Sequence, residues 1–124
     1  MATISEDYVS FETAKLLKVK RFDDPCVYVY RHDGSEDIWD ADKEDIACQK
    51  PTLQTAMKWL REVHKLCIEP YRTACGYLYT ISTIPYGSCK CNPKEGGDDE
   101  DSGQWTTYEG ACEAAIKYCL KNLI

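Results

Sequence analysis

An α+β fold is predicted by this chain: a small antiparallel sheet packed against about three helices, in the order α-β-β-α-β-β-(β)-α. Three observations predict it. Apolar residues recur at helical spacing over Leu53 to Lys65 and again over Cys112 to Leu123. Cys26 to Tyr30 and Gly76 to Ile84 are instead β-branched and aromatic, the composition of strands. With 124 residues, 44% hydrophobic and 29% charged, the chain is ordinary globular material. Its length suits one core, which serves roughly 100 to 150 residues, so a single domain over 1–124 is expected.

The elements follow in order. Ser10 is a fitting N-cap for a helix over 11–20, with Phe11, Ala14 and Leu17 on one stripe and Lys15 and Lys18 outside. Pro25 ends helical propagation, and after Cys26-Val27-Tyr28-Val29-Tyr30 the pair Asp33-Gly34 offers a hairpin turn towards Ile38-Trp39. Thr52 after Pro51 caps the second helix, on which Ala56, Met57, Leu60, Val63 and His64 share a face, with Trp59 beside them. Leu66-Cys67-Ile68 reads as a strand that Pro70 makes short or confines to an edge. Gly76 to Ile84 follows, and neither of its faces is purely polar. Residues 85–103 are a flexible acidic loop rich in Gly and Pro, after which Gln104-Trp105-Thr106 adds a short strand. Thr106 and Glu109 have capping-box spacing ahead of the last helix, whose stripe runs Cys112, Ala115, Ile116, Cys119, Leu120, Leu123.

The net charge of −6 is unevenly divided. Residues 32–47 and 92–124 hold the excess of acids, whereas 46–91 is mildly basic. No broad basic stripe is present, which argues against a nucleic-acid partner. No segment approaches the roughly 18 apolar residues of a membrane-spanning helix, so no membrane partner is expected. The acidic start Met1-Ala2-Thr3-Ile4-Ser5-Glu6-Asp7 has neither the basic residues nor the apolar run of a signal peptide. A cytoplasmic location follows as the expectation, and with it reduced cysteines.

Eight cysteines are many for this length, yet none form a Cys-x2-Cys pair, the usual zinc knuckle. Cys112 and Cys119, seven apart on a buried stripe, read as small apolar core residues, as do Cys26 and Cys67 in strands. Cys75, Cys89 and Cys91 are the cysteines left for chemistry. With His64 or His32 they would converge as a metal site if the loop folded back on the strand pair. Asp98, Glu100, Ser102, Gly103 and Glu109 fall at positions 1, 3, 5, 6 and 12 of an EF-hand-like loop, where alternating oxygens would ring a calcium ion. Pro93, Gly96 and Gly97 cannot supply the entering helix of that motif, and a solvated charge run followed by a helix cap is the simpler reading. No cofactor motif is found, and none is expected.

Nine tyrosines and three tryptophans raise the question of an aromatic binding face. Tyr28 and Tyr30, like Tyr77 and Tyr79, alternate along strands and, with Trp105, would offer a ligand or partner surface on the sheet. Half-buried sheet packing is the competing explanation.

Three runs carry a resemblance. They are Ser10 to Leu17, Pro51 to His64 and Tyr108 to Leu120. Together they resemble a family of small uncharacterised one-domain proteins that recurs in gut anaerobic bacteria, their phages and mobile elements; the stretch from Cys89 to Gly103 departs from it. The resemblance implies provenance and a one-domain architecture, with host cytoplasm as the location if phage-encoded. No catalytic motif comes with it. The resulting expectation is a non-enzymatic, acidic binding protein with a protein partner, acting on a host protein or as an accessory factor. The alternative is a small-molecule or metal-binding module using the aromatic face or the cysteines and acidic loop.

Overall fold

The first helix begins where the sequence sets its cap. In the computed structural model, which describes residues 7–38, 46–74, 76–85, 89–91 (backbone only) and 105–124, Ser10 is extended and its Oγ accepts the Thr13 N–H at 3.3 Å. That satisfies one of the helix's orphan donors. Helix α1 spans Phe11–Val19 and buries Thr13, Ala14 and Leu17. Contacts divide the chain into two compact units, Met1–Ala56 and Met57–Ile124.

In the first unit, α1 stops in a Schellman closure. The Phe22 N–H reaches the Leu17 carbonyl (2.9 Å), the Arg21 N–H reaches that of Lys18 (3.0 Å), and Arg21 takes φ 75°. Strands β1 (Tyr28–Arg31) and β2 (Glu36–Ile38) form the expected hairpin. Asp33 Oδ1 accepts from both the Ser35 N–H (2.9 Å) and its hydroxyl (2.6 Å), which bends the chain as an Asx turn does. Gly34 sits at φ 88°, and a Cβ there would meet the Phe11 ring at 3.3 Å, so both backbone and space require glycine. A third strand, β3 (Ile46–Gln49), completes the sheet in the order β2-β1-β3. Its short Ile-Ala-Cys-Gln run has too little alternation to announce itself. Residues 7–9 pair with 51–53 through the Val9 N–H to the Pro51 carbonyl (3.1 Å) and the Leu53 N–H to that of Asp7 (2.9 Å).

Helix α2 (Leu53–Val63) crosses the boundary between units. Thr52 Oγ1 caps it, accepting the Thr55 N–H at 3.1 Å. Leu53, Ala56, Met57, Trp59 and Leu60 are buried, but Val63 is exposed.

In the second unit, β4 (Leu66–Arg72), β5 (Tyr77–Thr83) and β6 (Cys89–Cys91) form an antiparallel sheet in that order. Strand β4 runs seven residues through Pro70, which an edge position tolerates because only one side must pair. Leu78 and Tyr79 are both buried, so β5 is covered on both faces. Helix α3 (Tyr108–Tyr118) packs on β4 and β5 and continues as one π turn over Cys119–Leu123. Its cap is Thr107 rather than Thr106: the Gly110 N–H reaches Thr107 Oγ1 at 3.0 Å, which places Glu109 one position too early for a capping box. The stripe of Cys112, Ala115, Ile116, Cys119 and Leu120 is buried as the periodicity requires. Trp105 forms a single bridge to Tyr77 in place of a strand.

The molecule is therefore α+β, with the strands among the described residues in two three-stranded sheets rather than one. Of the acidic loop, most residues between 85 and 103 lie outside the described residues, as does Trp39. Among the described residues no helix is long and apolar enough to cross a membrane.

Candidate functional site

The chemistry that the fold gathers in one place lies in the first unit, around a residue the sequence did not single out. Lys50 follows β3 directly and is only 7% exposed. Its backbone N–H bonds to the Tyr28 carbonyl at 3.0 Å. Its ammonium lies 4.9, 5.8 and 5.4 Å from the ring centres of Tyr8, Tyr28 and Tyr30 and 2.7 Å from Glu36 Oε2. A buried ammonium needs partners, and here three ring faces and one carboxylate supply them. The register explains the arrangement. Tyr28 and Tyr30 share one face of β1, Glu36 lies opposite Tyr30, and Ile38 lies opposite Tyr28. Tyr8 meets Tyr28 edge-on at 5.6 Å, and the Tyr30 hydroxyl donates to the buried Val9 carbonyl at 2.6 Å. On the same hairpin, Arg31 pairs with Asp37 at 2.6 Å. The Ile38 N–H and then the Arg31 guanidinium hold the Asp37 carboxyl below its usual range.

At the outer side of that box Tyr28 and Ile38 stand side by side, 38% and 49% exposed, with Val27 next in the chain at 66%. Scattered exposed apolar residues are ordinary, but a cross-strand aromatic–aliphatic pair backed by a packed cage is a prepared surface.

A second feature of this unit is a cleft of about 390 Å³ between the end of α1, with Lys18, Arg21, Phe22 and Asp23, and strand β3. Lys18 Nζ donates to the Ala47 carbonyl at 2.6 Å. The Gln49 side chain accepts the Cys26 N–H at 2.9 Å. Burial raises the Cys48 thiol on the lining, against the opposing pull of Lys18 and Lys15. Burial, aided by Asp24, pushes Cys26 up to about 11. Both are therefore neutral thiols at ordinary pH.

The aromatic residues that the sequence grouped together separate. Tyr28 and Tyr30 belong to the first sheet, and Tyr77, Tyr79 and Trp105 to the second unit. Each tyrosine-bearing strand pairs with its own neighbours through a local turn, so no single face collects all four. In the second unit Tyr79 is buried with its ring 5.2 Å from Trp105, while Tyr77 meets Tyr108 edge-on at 6.2 Å beneath the Arg72 guanidinium. Tyr79 is buried in that grouping, whereas Tyr77, Trp105 and Tyr108 are half-buried.

Of the expected metal ligands, only His32, His64 and Glu109 have side chains among the described residues. Cys75, Asp98 and Glu100 lie outside the described residues. Cys89 and Cys91 are in β6, their backbones paired with Ser82 and Ile81. Glu109 is exposed in the first turn of α3. His64 sits just past α2, its ring 4.7 Å from Trp59 and its Nε2 buried with no hydrogen-bond partner. Among the described residues no three potential ligands converge. Cys26, Cys48, Cys67, Cys112 and Cys119 are not in disulfides; of the four assigned to the core, Cys112 and Cys119 are fully buried, whereas Cys26 and Cys67 are partly exposed. Cys26 also falls before β1 rather than in it. No protein-family model, curated protein or solved structure matches the chain.

Lys50 and Arg21 were missed for different reasons. Nothing in linear spacing ties Lys50 to Tyr8, Tyr28 and Tyr30, because strand register brings them together. A signal did exist for Arg21: Leu17 and Phe22 flank a basic run at the C3 and C″ spacing of a Schellman closure.

Proposed function

We propose that this chain is a non-enzymatic binding protein, of phage or mobile-element provenance and acting in a bacterial host's cytoplasm, which recognises a protein partner through the β1–β2 hairpin. The observation that carries the reading is the exposed Tyr28–Ile38 pair mounted on the Lys50 box. Aromatic anchors held in one rotamer lose little entropy on binding, so such pairs dominate interface energetics. Around them Glu36, Asp37 and Arg31 supply the polar rim that a protein interface has.

Immobilised protein exposed to lysate of a gut anaerobe tests this. Wild type and a Val63→Glu control, altered at an exposed apolar position of α2, are expected to retain the same specific protein, and Ile38→Glu is expected to lose it. Retention by Ile38→Glu equal to wild type, or no specific retention by any form, overturns the reading.

A further inference from the structure

The cleft beside α1 lies apart from the Tyr28–Ile38 pair, and its lining has a chemistry of its own. Among the described residues, one wall carries the cations Lys18 and Arg21 against the single acid Asp23. Phe22, Ile46 and Cys48 supply apolar surface, the Cys48 thiol being uncharged. A volume of about 390 Å³ falls within the roughly 300 to 1,000 Å³ of small-molecule sites.

Two details set the sign of the ligand. A helix C-terminus ordinarily repels anions, but here the Leu16, Leu17 and Lys18 carbonyls are taken by the N–H groups of Lys20, Arg21 and Phe22. The closure that does so holds Arg21 at φ 75°, a conformation glycine adopts freely and an arginine only under strain. In return a guanidinium stands at the cleft. Among the described residues it has no hydrogen-bond or ion-pair partner, while Lys18 is already anchored on the Ala47 carbonyl. A planar, unpaired guanidinium beside an anchored ammonium is carboxylate- and phosphate-binding geometry.

We propose that this cleft binds a small organic acid, its carboxylate or phosphate held by Arg21 and Lys18 and its apolar body laid against Phe22, Ile46 and Cys48. The inference does not depend on the partner-binding reading, since it uses none of the same side chains.

Titration of full-length, isotope-labelled protein with benzoate and with phenyl phosphate, followed by amide chemical shifts, tests it. Both probes are expected to shift Phe22, Ala47 and Cys48 saturably, the stronger of the two identifying the acid group. Uncharged benzamide is expected to bind about tenfold more weakly, and so is benzoate to Arg21→Ala. Asp23→Asn is expected to tighten benzoate, and Ile38→Glu to leave it unchanged, which separates this site from the hairpin surface. Lys18→Met gives a second variant, expected to weaken both probes even though it also removes the Ala47 contact. Equal binding of benzamide or of cationic benzylamine overturns the proposal, as do shifts mapping elsewhere, or full binding by both Arg21→Ala and Lys18→Met. Inorganic phosphate binding as tightly as phenyl phosphate would overturn the role of the apolar wall.

Discussion

The two units of this chain bury different things. Under α3 the second unit buries Ala111, Cys112, Ala115, Ile116, Cys119 and Leu120, an apolar stripe on a sheet. The two described residues of polar or charged type that are buried, Thr13 and Lys50, both belong to the first unit. Burying an ammonium is expensive unless its partners are good, so a fold that does it has positioned four side chains around one charge. An apolar stripe specifies shape alone. The difference teaches where to look for function: the unit with placed polar groups carries both of the proposed recognition surfaces, and the other is the better candidate for scaffold.

The largest effect expected from this contrast lies in the second unit. Ile116 is fully buried, and Ile116→Ala removes apolar contacts and leaves a cavity that the helix fills only partly. A loss of about 3 kcal/mol is expected in urea unfolding, with amide exchange accelerated in α3, β4 and β5. A change below about 1 kcal/mol would mean that α3 repacks, and the second unit would lose its description as a rigid scaffold.

A smaller effect is expected in the first unit, where charge and packing oppose each other. Lys50→Met keeps an apolar stem among the three rings but removes the cation they surround. Removing a buried charge also removes its desolvation penalty, so the sign depends on which is larger. Three ring faces together favour the cation, and a loss of about 1 to 2 kcal/mol is expected. Glu36→Gln is expected to cost only about 0.5 kcal/mol, because that carboxylate's side chain is 61% exposed and its pairing is screened. If Lys50→Met is neutral or stabilising by urea unfolding, the box is a burden on stability, and the contrast between the units becomes sharper still.

Legibility in the sequence followed the range of the interactions. Ser10 and Thr52 were readable as caps because a cap bonds three residues along the chain, and Asp33-Gly34 because a hairpin turn is local. Cys112, Ala115, Ile116, Cys119 and Leu120 were readable because a helix repeats. The last cap slipped by one residue because Thr106 and Thr107 are adjacent, and their side-chain chemistry is identical. What could not be read was strand pairing: β3 is four residues long, and its register alone places Lys50 beside Tyr28. The candidate sites lie on that side of the divide. Neither the Lys50 box nor the cleft is built from residues whose spacing is diagnostic.

The last expected effect sharpens the comparison most, because among the described residues the same backbone strain occurs once in each unit. Arg21 and Lys65, each just beyond a helix, hold φ of 75° and 60°. Glycine adopts this region without penalty, so Arg21→Gly and Lys65→Gly are each expected to raise stability by up to about 1 kcal/mol, less what glycine gains in the unfolded chain. Their consequences for binding should diverge. Arg21→Gly removes the guanidinium from the cleft and is expected to weaken benzoate about tenfold while the fold becomes firmer. Lys65→Gly should leave benzoate binding at the wild-type level. If both variants gain stability and neither changes binding, the arginine's strained position has no link to the cleft, and the two helix ends are equivalent. If Arg21→Gly gains stability and loses the ligand, the strain in the first unit is kept for recognition.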